Sequence, residues 1–288
     1  MRGRILKGVG GLYTLRSDGR DYLCRARGRF RKDKLSPIVG DFAEFVLPAD
    51  EGEGFITELL PRRNCLKRPL LSNVDMLVTV VAAADPLPDW SLVDRLLTQA
   101  EKYGMEAVLA VNKSDLGQET AEEAKKVYRH LPVLSLSAVA NQGLDALQDC
   151  IGDRTVVLAG PSGVGKSSLL NRLLPESALV GEISDRLKRG KHTTRHTQLF
   201  SVGKGYVADT PGFSLLDMDL MDPAELAALY PDFGPYSEQC RFTGCIHYTE
   251  PDCGIKAAVE GGKIDSRRYK GYIRLLAELT EQWRNRYA

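Results

Sequence analysis

Thr155-Val156-Val157-Leu158-Ala159-Gly160-Pro161-Ser162-Gly163-Val164-Gly165-Lys166-Ser167-Ser168 decides the fold of this 288-residue chain. A short apolar run of β-formers leads into a loop that matches G-x-x-x-x-G-K-[ST] in full, and a helix-forming stretch follows over 168–174. That strand, loop and helix make a phosphate-binding unit. Glycines let the backbone wrap a phosphate chain and aim several N–H groups inward, at a helix N-terminus whose dipole favours anions. Lys166 is placed to reach the β- and γ-phosphates, and the Ser167 hydroxyl to ligate Mg2+. The alternative, a glycine-rich turn that matches by chance, would not require a strand before it and a helix after it.

Upstream, the apolar run 107–111 ends in Asn112-Lys113-Ser114-Asp115, an N-K-x-D sequence. The Asp115 carboxylate can accept from both N1–H and N2–H of guanine. Adenine lacks that donor pair and would leave a desolvated carboxylate unpaired. Asn112 is expected to brace the neighbouring loops and the Lys113 stem to lie over the base. After the next strand-like run comes Ser135-Leu136-Ser137-Ala138, where Ser137 and Ala138 are placed to back the guanine O6. Downstream, the run 206–208 ends in Asp209-Thr210-Pro211-Gly212, a D-x-P-G sequence. Asp209 is expected to hold Mg2+ through water and the Gly212 N–H to sense the γ-phosphate. Between these lies the polar, aperiodic stretch 189–195, in which Thr194 is the candidate for a switch threonine that ligates Mg2+ while the γ-phosphate is present.

The order is base motif, base support, phosphate loop, first switch, second switch, a circular permutation of the usual arrangement. A site assembled at the carboxyl ends of strands does not need its loops in one chain order. The second switch then runs directly into the C-terminal region. Phe213 follows the D-x-P-G motif at a position where many signalling GTPases carry a water-orienting glutamine. His192 is the local candidate for that task, with contact to RNA or solvent as the alternative.

From about residue 70 onward, strand-like runs alternate with helical patterns over 91–103 and 119–130, which predicts a mostly parallel α/β sheet. Residues 1–65 read instead as about five short strands, with Ser17-Asp18-Gly19 as a hairpin turn and 39–45 as a strand. A small barrel fits, of OB or SH3-like type. Formal net charge is +1, but residues 1–34 hold 11 Lys/Arg against 3 Asp/Glu. Arg25, Arg27, Arg29, Arg31 and Lys32 are the candidate RNA-phosphate contacts there, with Tyr22 or Phe30 available to stack on a base. Arg267, Arg268, Lys270, Arg274, Arg284 and Arg286 of the final helix are candidates for a second RNA contact.

Cys240-x4-Cys245-x-His247-x5-Cys253 gathers three thiols and an imidazole into fourteen residues. Such a set completes a tetrahedral structural zinc site with no open position. Cys24, Cys65 and Cys150 are scattered and read as small core residues. The longest apolar run, 76–84, contains Thr79 and is too short to cross a bilayer. No secretory signal pattern stands at the start, so a cytoplasmic chain with no membrane partner is expected.

Taken together, Gly40-Asp41, Asn112 to Asp115, Gly160 to Ser168, Gly190 to Thr194, Asp209 to Phe213 and the cysteine cluster resemble the RsgA family, also called YjeQ or YloQ, over nearly the whole chain. The resemblance implies three domains: an OB-fold barrel over 1–65, a circularly permuted P-loop GTPase over 66–218, and a small, mostly helical zinc domain over 219–288. It further implies a monomeric GTPase that converts GTP to GDP and phosphate. Its turnover would be stimulated by the small (30S) ribosomal subunit, on which it would act late in assembly through rRNA.

Overall fold

The computed structural model describes residues 1–26, 28, 30, 36–49, 52–175, 197–209 and 219–286. They form two compact units. One draws on Met1–Met76, Leu144–Leu158 and Lys166–Phe213, the other on Leu77–Gly143, Ala159–Gly165 and Ser214–Ala288.

In the first unit, β1 (Arg2–Val9), β2 (Leu12–Ser17), β3 (Arg20–Ala26), β4 (Phe42–Val46) and β5 (Gly54–Leu59) close a barrel of OB type. The ring runs β1-β2-β3-β5-β4 and returns to β1, antiparallel except at β3–β5. Asp18 and Gly19 both take positive φ (47° and 77°), as a two-residue hairpin turn requires. The period-2 pattern holds in β3, where Cys24 is buried between exposed Leu23 and Arg25. Cys24 packs with Ile5, Leu15, Phe30, Ala43, Phe45 and Ile56. Phe30 is therefore a core ring, which corrects the expectation that it stacks on a base, while half-buried Tyr22 leans on Phe45 at 5.3 Å.

The strand expected from Val39 begins instead at Phe42. Gly40 sits at φ 92°, where a Cβ would meet the Ser72 carbonyl oxygen at 2.1 Å. Next to it, the Asp41 side chain is fully buried and accepts from Arg62 (2.6 and 2.7 Å), the Ser72 hydroxyl (2.6 Å) and the Ile38 N–H (2.9 Å). A buried carboxylate is tolerated because its oxygens are filled by donors. This knot ties the barrel to the hairpin of β6 (Cys65–Lys67) and β7 (Leu70–Ser72). The same unit contains β11 (Thr155–Ala159), parallel to β13 (Gly205–Asp209), and β12 (Gln198–Val202), antiparallel to both β13 and β1. Helices α3 (Leu144–Ile151) and α4 (Lys166–Leu173) complete it.

In the second unit, β8 (Met76–Ala82), β9 (Glu106–Asn112) and β10 (Val133–Ser135) lie in the order β10-β9-β8, with β10 parallel to β9. Every residue of β8 is buried, as its unbroken apolar run demands. Helix α1 (Trp90–Lys102) is capped by Asp89, which accepts from the Ser91 and Leu92 N–H groups. Helix α2 (Glu119–Val127) ends three residues short of the expected 130, because Tyr128 leaves helical geometry (φ −107°, ψ 56°) to bury its ring in the core. From 219 to 286 the regular elements are 3-10 turns at Pro223–Leu229 and Pro231–Phe233 and helices α5 (Gly234–Ser237), α6 (Gly254–Glu260) and α7 (Ser266–Arg284), with turns and loops over 238–253. Leu226, Tyr230, Phe233, Ile255, Tyr272 and Leu279 form its core.

Helix α7 packs on α1 through a buried charge network. Arg268, 1% exposed, donates to Asp94 at 2.5 Å and to both Asp232 oxygens at 3.2 Å, with its guanidinium 3.9 Å over the Tyr230 ring. Asp94 also accepts from the Tyr128 hydroxyl at 3.2 Å. Gly271 makes the approach possible, since a Cβ there would fall 1.8 Å from an Asp94 oxygen. Burial pushes the Asp94 carboxyl up to about 6, against the pull of Arg268. Arg268 is thus a structural cation, which corrects its assignment to an RNA-facing surface.

Candidate functional site

In the second unit, Asn112 ends β9 fully buried and joins the loops expected to surround a nucleotide. Its Nδ2 donates to the Val164 carbonyl at 2.8 Å and its Oδ1 accepts from the Ala138 N–H at 3.1 Å. The phosphate-type loop and the Ser137-Ala138 loop are therefore held by one side chain. Gly165 (φ 93°) leaves room for that amide, because a Cβ there would meet Nδ2 at 2.3 Å. Gly160 (φ 146°) lies against β8, where a Cβ would come within 2.1 Å of the Val80 carbonyl oxygen. Gly163 also takes positive φ (84°). Pro161 is half-buried, Ser162 exposed and Val164 buried.

Lys113 adopts a left-handed φ of 61° and its Nζ donates to the Asp85 carbonyl. Ser114 is buried, its N–H on the Leu136 carbonyl at 2.9 Å. Asp115 is exposed and accepts from the Ser137 hydroxyl, whose oxygen in turn accepts from the Ala140 N–H at 3.0 Å. That relay fixes one Asp115 oxygen and leaves the carboxylate facing solvent with capacity for further donors. In the first unit, Lys166 opens α4 half-buried, with burial pushing its ammonium below its ordinary value, and Ser167 and Ser168 are exposed in the first helical turn. Asp209 closes β13, its backbone opposite Gln198. Thr194, His192, Gly212, Arg27, Arg29, Arg31 and Lys32 lie outside the described residues. Arg25 is described: it is exposed and paired with Glu53.

The second centre brings Cys240, Cys245, His247 and Cys253 together, their ligand atoms all within 4.8 Å of one another. Cys240 Sγ and Cys253 Sγ stand 3.5 and 3.4 Å from His247 Nδ1 and 3.9 Å from each other. A tetrahedron of metal–thiolate bonds of about 2.3 Å has edges of roughly 3.8 Å, so the cluster has the size of a metal cage. Supporting groups fix the ligands. The Gly254 N–H donates to Cys240 Sγ at 3.3 Å. The Tyr269 and Tyr272 hydroxyls hold the carbonyls of His247 and Ile246 at 2.7 Å each. Glu250 caps the loop by accepting from the Ile246 and Tyr248 N–H groups. Sequence spacing picked out the four residues that cluster here, whereas Tyr269, Tyr272 and Glu250 carry no motif that would have announced them.

Comparison with known proteins agrees over the full length. The profile of the RsgA GTPase family matches residues 59–219, and that of the RsgA N-terminal domain matches 2–56. A small ribosomal subunit biogenesis GTPase RsgA of Alkaliphilus metalliredigens is 41% identical over 289 residues, covering 98% of this chain and 99% of its own. One from Geobacillus sp. (strain WCH70) is 42% identical, covering 97% and 98%. Among solved structures, YjeQ from Thermotoga maritima superposes with a TM-score of 0.85 at 34% identity, covering 97% of this chain and 98% of its own. YloQ, described as a circularly permuted GTPase, superposes at 0.83 and 33%, covering 98% and 95%.

Proposed function

The chain belongs to the RsgA GTPase family, and from that premise we propose that it hydrolyses GTP to GDP and phosphate in biogenesis of the small (30S) ribosomal subunit, stimulated by that subunit and bound to its rRNA. The observation that carries the reading is Asn112, which clamps the base-reading loops to the phosphate loop. Asn112, Lys113, Ser114, Asp115, Ser137 and Ala138 bind the guanine. Gly160, Pro161, Ser162, Gly163, Val164, Gly165, Lys166, Ser167 and Ser168 bind the phosphates, with Asp209 and Gly212 at the γ-phosphate end. Bound Mg2+ supplies charge neutralisation, and Ser167, Thr194 and Asp209 are the side chains assigned to it.

Phosphoryl transfer is mostly positioning and charge stabilisation. Lys166 supplies a fixed cation that burial has already partly desolvated, and His192 is assigned the orientation of water. The Cys3His cluster holds one structural Zn2+, because four protein donors of that kind leave no open position for chemistry. The domains divide as 1–65, 66–218 and 219–288, and the protein works as a cytoplasmic monomer. Arg25 with Arg27, Arg29, Arg31 and Lys32 supplies rRNA-phosphate contacts from the barrel.

GTP turnover by the purified protein, with and without purified small subunits, tests this. Slow turnover alone, below about 0.01 s⁻¹ on the scale of unassisted GTPases, and a large increase with subunits is the expected result. Fast turnover alone, or no response to subunits, would overturn it.

A further inference from the structure

On the first unit, away from the loops assigned to GTP, Arg4 of β1 is an unusual cation. It is 9% exposed, and burial pushes its guanidinium below the ordinary value. Its Nη2 donates to the Asn73 carbonyl at 3.0 Å. Its planar group lies over the Phe42 ring at 4.9 Å and the Tyr206 ring at 5.2 Å, which fixes its orientation. Yet its buried Nε–H has no hydrogen-bond partner. The carboxylate that Arg4 feels most, Asp75, does not satisfy it. Asp75 spends one oxygen on Arg63 (2.6 Å) and the other on the Thr155 N–H (2.7 Å).

Arg4 lines a cavity of about 640 Å³ together with Arg2, Arg16, Phe42, Lys204 and Tyr206. Among the described residues that line it, four are cations and Asp18 is the sole carboxylate. Arg16 forms a fixed wall, gripped by Asp21 (2.5 and 2.8 Å) and bonded to the Ser201 hydroxyl at 2.7 Å. Arg2 and Lys204 are exposed, the latter next to Gly203 (φ 58°) in the β12–β13 turn, and are placed to close on a ligand. A concavity of this size falls in the range of small-ligand sites. The cationic surplus matches a dianionic phosphate better than a singly charged carboxylate, and arginine forks fit phosphate oxygens in pairs.

We propose that this cavity is a phosphate-binding site separate from the GTP pocket, which takes a nucleotide phosphate, either free or within an RNA strand, on Arg2, Arg4 and Lys204. The site does not depend on the guanine reading.

The test is calorimetric titration of the full-length protein with adenosine 5′-monophosphate and with a five-nucleotide single-stranded RNA. GDP and Mg2+ are kept saturating, so that the other phosphate loop is filled, and GDP binding is measured first on its own. Saturable binding of at least one probe is expected, weakened roughly tenfold or more in Arg2→Ala/Lys204→Ala. Both substituted residues are exposed, so the melting temperature should not move. Arg4→Met should abolish binding, and the exposed double variant keeps the test valid if Arg4→Met fails to fold. Binding of the monophosphate assigns a free nucleotide, and binding of RNA alone assigns a backbone contact. No saturable binding of either probe at millimolar concentration, or binding indifferent to the double variant, would overturn the site.

Discussion

With its amide nitrogen on the Val164 carbonyl and its amide oxygen on the Ala138 N–H, Asn112 is a bridge made of a single planar group. Gly165 is the residue that admits it. Gly165→Ala places a methyl group 2.3 Å from Nδ2, at a φ that alanine resists. GTP affinity should fall by an order of magnitude or more, about 1.4 kcal/mol, while circular dichroism keeps the native spectrum. A near-native Kd would show that the bridge is not needed. Asp115→Asn tests the proposed role of Asp115 in reading the base. Removing a charged acceptor from two guanine donors should cost about 3 kcal/mol in GTP binding, and xanthosine triphosphate, which offers an oxygen where guanine has an amine, should recover part of it. Competition between the two triphosphates measures both effects.

At the scale of elements, α7 depends on the charge network it buries against α1. Arg268→Met leaves Asp94 and Asp232 without their cation, and breaking a buried pair costs about 3–5 kcal/mol. The deficit should shrink in acid. A carboxyl whose folded value is raised, here to about 6, contributes stability that is present below its unfolded value near 4 and lost as pH rises through 6. Without Arg268 that value rises further, so urea melts relative to wild type should show a smaller deficit at pH 5.5 than at pH 8. An equal deficit at both would mean that Asp94 is not the group responsible. This network was illegible in the sequence, since it joins residues 174 positions apart and neither end carries a motif. In sequence, Arg268 looks like its solvated neighbours. By contrast β11 and α4 were legible, because the Gly160–Ser167 loop demands a strand before and a helix after. Strand β12 was not, since its five residues alternate too briefly to stand out from a loop. The start of β4 was misplaced because the role of Gly40 and Asp41 depends on Ser72 and Arg62, which only the folded chain supplies.

Across the whole molecule, the Cys3His cluster is part of the same core that α7 completes, through Tyr269 and Tyr272. If the cluster holds the proposed zinc, chelating it should therefore raise amide exchange through residues 240–284 and leave strands β1 to β5, which have their own core, at native protection. Equal loosening of both regions, or none, would contradict this, and mass spectrometry after exchange would read it. The Arg268–Asp94 pair also bears on how the chain is made. Translation delivers about 5–20 residues per second, so Arg268 leaves the synthesising ribosome roughly 9–35 s after Asp94. For that interval the first large helix carries a carboxylate whose counter-ion does not yet exist. The barrel can close as soon as its fifth strand is made, whereas the unit that contains Asn112 and Asp115 must wait for the last helix. A nascent chain of this protein is thus held short of its finished second unit until synthesis is nearly over.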